Sequence, residues 1–242
     1  MNGAYEQNGD RVSSQLSPLI AAAHELKSPL ALIRQLSLAL EADGMSLAEK
    51  QCLQNQITLT SERALRLTGD LTKSARLDET LFELEPVNPQ QLCEDVAHEL
   101  TPLYKAHGRD IKVIPYGRPL LLVANRDLLK RVMVNFSDNA LYYTDGHEVV
   151  ELQTKTLNGG NTVRLGVRDY GPALSADLWR TLHRRLAVSP QSVQARPQSS
   201  GLGLHIADSF ARVMNGQIGA IRHRDGATFF IDLQASFQLN LL

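Results

Sequence analysis

The chain has 242 residues, 43% of them hydrophobic, enough for one large domain or two ordinary ones with ample core. Its 25 basic and 26 acidic residues leave a net charge of −1, which argues against electrostatic binding of nucleic acid and against a polybasic membrane anchor. Two cysteines, Cys52 and Cys93, have no metal-ligand spacing and read as reduced thiols. No run approaches 18 apolar residues, and the first ten are polar rather than signal-like. The expectation is a cytoplasmic chain with no membrane segment of its own, or the cytoplasmic part of a longer membrane protein.

Residues 1–10 are expected to fray. A 3-4 apolar repeat follows in Leu16, Leu19, Ala23, Leu26, Leu30, Ile33, Ser37 and Leu40, the period of a helix in a coiled coil or four-helix bundle. His24 falls one residue after a seam position and so faces solvent beside the packed stripe. Pro29, five residues later, cannot donate to the Glu25 carbonyl and bends the helix there, at a cost of about 3 kcal/mol against Ala. This helix runs from about 11 to 42, roughly 48 Å, and Gly44 is its stop. Ser46-Leu47-Ala48-Glu49 is a capping box opening a second helix with Leu53, Ile57, Thr60, Ala64, Leu67 and Leu71 in one seam. Two long helices with one narrow seam each cannot enclose a core. Pairing with a second copy would complete a four-helix bundle, which predicts a homodimer through residues 11–77.

Composition changes at 81–89, a linker and short strand, and Asn88-Pro89 then caps a third helix with Leu92, Val96, Leu100 and Leu103 inward. Short apolar runs at 111–115 and 120–124 precede Asn125, which caps a helix over 126–143 with Leu129, Val132, Phe136 and Ala140 on one face. Strands are expected at 149–156 and 162–168 around Asn158-Gly159-Gly160, a loop at 187–200, a helix at 203–214, and a final hairpin at 218–233. The fold class is α+β: a helical hairpin over residues 11–80, forming a dimeric four-helix bundle, then an α/β sandwich over residues 81–236.

Three motifs in the second part carry chemistry together. Asn135 and Asn139 are four apart and share a helix face, where neutral oxygens can complete the shell of a Mg²⁺ whose charge is met by phosphates and water. Asp169-Tyr170-Gly171 ends a strand; the Asp can accept from an exocyclic amino group, and the Gly lets a ring approach the backbone. Gly201-Leu202-Gly203-Leu204 leads into a helix whose first N–H groups can hold phosphate, and no Gly-Lys-Ser/Thr follows to make it a Walker loop. Singly, each also reads as an ordinary exposed face, a strand-to-turn Asp or a lone Gly-x-Gly.

In this order and spacing the chain resembles the sensor histidine kinases of two-component signalling, over roughly residues 11–234. His24-Glu25-Leu26-Lys27-Ser28-Pro29-Leu30 is similar to that family's H box, Asn135 to Thr144 to its N box, and Asp169-Tyr170-Gly171 to its G1 box. Gly201-Leu202-Gly203-Leu204 is similar to its G2 box, and Gly226-Ala227-Thr228-Phe229 to its closing strand. His98-Glu99-Leu100-Thr101-Pro102-Leu103 imitates an H box, but its Pro comes four residues after the His and it has no heptad seam. The resemblance implies autophosphorylation of His24 from ATP, with Glu25 orienting the ring or taking its other proton, and then transfer to an Asp in the receiver domain of a response regulator. It implies Mg²⁺ on Asn139 with support from Asn135, Tyr143 near the base, Asp169 and Gly171 at the adenine, and Gly201 and Gly203 at the phosphates. Ser28 stands where the family carries Thr or Asn to direct water in a reverse, phosphatase reaction.

The chain departs from the pattern at Tyr142, usually Lys, at Ala173, usually Gly, and at Leu178-Trp179-Arg180 in place of an aromatic box. Two other readings stand beside the kinase. One is a histidine phosphotransfer relay whose degenerate second domain binds no ATP; the other is a non-enzymatic coiled-coil adaptor.

Overall fold

The computed structural model describes residues 23, 26–41, 44–75, 82–117, 120–143, 149–171, 179–180 and 202–236, with Tyr142 and Tyr143 described by their backbone alone. The first helix, α1, is described over 26–40 and passes through Pro29. Gly44 follows with φ +88°, the left-handed conformation expected of a helix stop. The capping box is built as expected: the Ser46 N–H donates to Glu49 Oε2 at 2.8 Å and the Glu49 N–H donates back to Ser46 Oγ at 3.2 Å. It opens α2, Leu47–Ala75.

The six seam residues of α2 are all half-buried, and Asp70 is the buried residue of that helix. Leu30 and Leu38 of α1 are 60% and 52% exposed, as far from burial as surface residues. A hairpin whose apolar stripe stays half wet leaves area to be covered by something else. The C-terminal part of the α2 stripe is engaged within the chain: Leu67 and Leu71, with Leu59, pack on the core of the second half.

That second half is a mixed sheet with helices on it. A two-stranded antiparallel pair joins β1, Glu85–Val87, to β3, Leu122–Ala124. The main sheet has five strands: β2, Asp110–Val113; β4, Val149–Leu157; β5, Thr162–Asp169; β6, Gln217–His223; and β7, Gly226–Gln234. Their order is β2-β4-β5-β7-β6, with β2 parallel to β4 and the rest antiparallel. The helices are α3, Pro89–Ala106; α4, Arg126–Tyr143; and α5, Leu202–Val213.

Alternation along the strands sends Val150 and Leu152, Val163, Leu165 and Val167, and Phe229, Ile231 and Leu233 inward, all buried. They meet Leu92, Val96 and Leu100 of α3, Leu129, Val132 and Phe136 of α4, and Ile206 and Phe210 of α5, also buried. The rings of Phe136 and Phe229, with centroids 6.1 Å apart, join α4 to β7. Both caps read from the sequence are present: Asn88 accepts from the N–H groups of Gln90 and Gln91, and Asn125 from that of Leu128. Among the described residues no helix is long and apolar enough to cross a membrane.

Candidate functional site

The middle of α4 is set from within. Tyr104 of α3 is fully buried and its hydroxyl donates to the Ser137 carbonyl at 2.7 Å, while Ser137 Oγ donates to Met133 O at 2.8 Å. Burial first, and then the charge of Asp138, hold the Tyr104 phenol well above its ordinary range, and Asp169 pushes in the same direction. Tyr104 thus remains a donor at any working pH, and it has the middle of α4 and the end of β5 as neighbours.

With α4 fixed this way, Asn135 and Asn139 are half-buried at its edge and face the first turn of α5. A Cβ placed on Gly203 would lie 3.9 Å from Asn139 Nδ2 and 4.0 Å from Asn135 Oδ1. The two asparagines and Gly203, 64 residues beyond Asn139 in the chain, therefore form one cluster. Asn135 Nδ2 is buried without a hydrogen-bond partner among the described residues, and so is Asp138 Oδ1. Buried polar atoms are normally paired, and an unpaired one costs about 1–3 kcal/mol. An amide N–H₂ left open beside the start of a helix is a donor suited to an anionic oxygen.

Asp169, the last residue of β5, is 1% exposed. Its Oδ1 accepts from the N–H groups of Gly171 at 3.3 Å and of Ala227 at 3.2 Å. The carboxylate is thus held by main-chain donors from its own turn and from β7.

The structure places Ser28 exposed on α1. His24, Glu25 and Gly201 lie outside the described residues, as does the side chain of Tyr143, the last residue of α4, and the loop expected at 187–200. Trp179, in the degenerate aromatic box, packs against the core. Among the described residues no three His, Cys, Asp or Glu side chains gather as a metal site. A divalent ion here would need oxygens from its ligand, consistent with a neutral asparagine as the protein's contribution.

Sequence reasoning missed two ion pairs between α2 and α4. Arg63 Nε stands 3.4 Å from Asp138 Oδ2, and Arg131 donates to Asp70. The signal was present: Asp138 lies between Val134 and Leu141 at helical spacing, in a buried stripe that otherwise takes apolar residues. It also missed Arg168, a buried cation beside Asp169.

Residues 124–236 match the family of histidine kinase-, DNA gyrase B- and HSP90-like ATPases. The sensor protein kinase PmrB of Pseudomonas aeruginosa is 30% identical over 208 residues, 85% of this chain and 42% of that protein. The sensor protein CutS of Streptomyces coelicolor is 30% identical over 207 residues, 82% of this chain and 47% of that protein. Full-length ShkA in complex with AMPPNP superposes with a TM-score of 0.58 at 24% identity, over 91% of this chain and 46% of that one. The Acinetobacter baumannii histidine kinase AdeS gives 0.56 at 16% identity, over 88% of this chain and 98% of that one. At those identities the superpositions speak for the fold alone.

The layered sheet and helices of residues 124–236 are an ATP-binding domain of that ATPase class. With the helical hairpin in front of it and sensor kinases among its relatives, the chain along most of its length is similar to the sensor histidine kinases. It spans less than half the length of PmrB and of CutS.

Proposed function

We propose that this chain autophosphorylates His24 from ATP and passes the phosphoryl group to an aspartate of a response regulator. The observation that carries the reading is the meeting of Asn135 and Asn139 of α4 with Gly203 of α5, within a domain whose β5 ends on the buried Asp169. The division into a phosphotransfer hairpin at 11–80 and a catalytic domain at 81–236 is part of the same proposal.

In this reading the Asp169 carboxylate accepts from the adenine amino group, and Gly171 leaves room for the ring. The N–H groups of Gly201 and of Gly203, the latter in the first turn of α5, meet the phosphates, and Tyr143 lies near the base. Asn139 would hold a Mg²⁺ together with the phosphates, with Asn135 beside it; the orphaned Asn135 amide and the absence of an acidic cluster among the described residues fit that division of labour. The ion would supply neutralisation of phosphate charge. A neutral ring nitrogen of His24 attacks the γ-phosphorus, the bond from phosphorus to the bridging oxygen breaks, and ADP leaves with that electron pair. Glu25 orients the ring or takes its other proton. In the same reading Ser28, exposed on α1, directs water in the reverse reaction.

The exposed Leu30 and Leu38 of α1 and the half-buried Leu53 and Ile57 of α2 support a homodimer through residues 11–77, since a second copy would cover them. The reading places the chain on the cytoplasmic side, where ATP is available, as the cytoplasmic part of a longer sensor. The test is incubation with γ-labelled ATP and Mg²⁺. Wild type should take up an acid-labile label, and His24→Ala none. If neither is labelled but a phosphorylated regulator transfers its group to His24, the chain is a relay and the kinase reading falls.

A further inference from the structure

Arg168 immediately precedes Asp169, and its side chain is 8% exposed. Its Nη1 donates to the Asp169 carbonyl and, at 3.4 Å each, to the carbonyls of Asp225 and Ala227. Its Nη2 donates to the Asp225 carboxylate at 2.5 Å. The Tyr170 ring covers the guanidinium, with 4.3 Å from its central carbon to the ring centroid. A cation this deep costs several kcal/mol unless its donors are met, and here three carbonyls accept from Nη1 and one carboxylate from Nη2, beneath an aromatic face. A planar fork can span those acceptors at once; a lysine ammonium cannot.

The backbone held this way is the backbone that holds the Asp169 carboxylate. Oδ1 rests on the N–H groups of Gly171 and Ala227, and Arg168 grips the carbonyls of Asp169 and Ala227. The β6–β7 turn closes over the same point. Gly226 has φ +128°, and a Cβ there would stand 2.2 Å from the Asp169 carbonyl oxygen and 2.8 Å from Asp169 Oδ1. Only glycine lets the turn come so near. Asp225, in that turn, brings the counter-charge from the solvent side, with its side chain 65% exposed.

We propose that Arg168, anchored by Asp225, is a positioning residue that sets the preference for adenine over guanine by fixing the direction of the Asp169 carboxylate. The inference rests on the reading of Asp169 as the acceptor of the adenine amino group. Guanine presents a carbonyl where adenine presents that amino group, so a fixed carboxylate faces another acceptor and neither can be satisfied. Rejection of that kind is strong only while the site's polar group cannot swing aside or admit a water.

The experiment is calorimetric titration of the whole chain with Mg-ATP, Mg-ADP and Mg-GTP. Arg168→Met should weaken ATP about tenfold and leave GTP nearly unchanged, so that the ATP-to-GTP ratio falls about tenfold while the ATP-to-ADP ratio holds. Arg168→Lys keeps the charge and should remain defective. Asp225→Asn, at an exposed site, should move the ratio the same way by about threefold, and it decides the matter if Arg168→Met does not fold. Equal weakening of ATP and GTP, or wild-type ratios in Arg168→Lys and Asp225→Asn, overturns the proposal. Asp169→Ala separates the two levels. If it abolishes the preference while the Arg168 variants keep it, only the positioning role fails; if it binds ATP like wild type, the reading of Asp169 fails and takes this inference with it.

Discussion

Replacing Gly203 by Ala should make the chain more stable and bind ATP worse. Gly203 is the second residue of α5, and the atoms nearest to an added Cβ are 3.9 and 4.0 Å away on Asn139 and Asn135, an ordinary contact distance. Nothing has to move, so the folded state gains helix propensity, worth up to about 1 kcal/mol in a helix interior and about half that in a first turn. For a domain of this size that raises the melting temperature by about 1–3 °C. The same methyl group points at the two asparagine amides, into the space where the proposed site puts phosphate. Loss of that approach should raise the Kd for Mg-ATP tenfold or more, about 1.4 kcal/mol. Thermal melts without nucleotide and calorimetry with Mg-ATP read the two effects separately. A lower melting temperature with ATP affinity intact would refute the reasoning, because Gly203 would then be a packing glycine with the phosphates elsewhere.

Arg131→Met should strand the Asp70 carboxylate, whose side chain is 5% exposed, and cost about 2–3 kcal/mol; Arg131 is itself 32% exposed, which discounts the full penalty of a broken buried pair. In a urea double-mutant cycle Asp70→Asn should recover most of that loss, and additive effects would rule the pair out. Cys52 is exposed, whereas burial pushes the Cys93 thiol up to about 12. Iodoacetamide at neutral pH should therefore label one cysteine in the native chain and two in denaturant, as mass spectrometry would show. His205 and His223 are both held below the usual imidazole range, chiefly by burial. The unfolded chain then binds more protons, so stability is full above about pH 6.5 and declines as pH falls through the lowered values. Melting temperatures between pH 7 and 5 should drop, and His205→Gln should flatten part of that slope.

Local chemistry was legible in the sequence wherever one residue type has one use. The Ser46/Glu49 box, the Asn88-Pro89 and Asn125 caps and the Gly44 stop each fix a helix end by themselves, and each stands where it was expected. The face of Asn135 and Asn139 followed from helical spacing. What was not legible depends on partners far along the chain. Arg168 meets Asp225 across 57 residues, and Arg131 meets Asp70 across 61. A buried arginine in a strand looks in sequence like any outward-facing one. The parallel pairing of β2 with β4 was hidden for the same reason: four residues alternating between exposed and half-buried carry no mark of which strand they join. Asp70 and Asp138 could have been flagged, since an acid beside or within an apolar stripe requires a cation from elsewhere.

The central claim is that nucleotide sits between α4, the end of β5 and the start of α5. Amide hydrogen exchange on the whole chain, with and without a non-hydrolysable ATP analogue and Mg²⁺, locates it without reference to any activity. The account predicts added protection at 135–143, 169–171, 202–206 and 226–228. Unchanged exchange at those four segments under saturating analogue, or protection confined to α1 and α2, would contradict it.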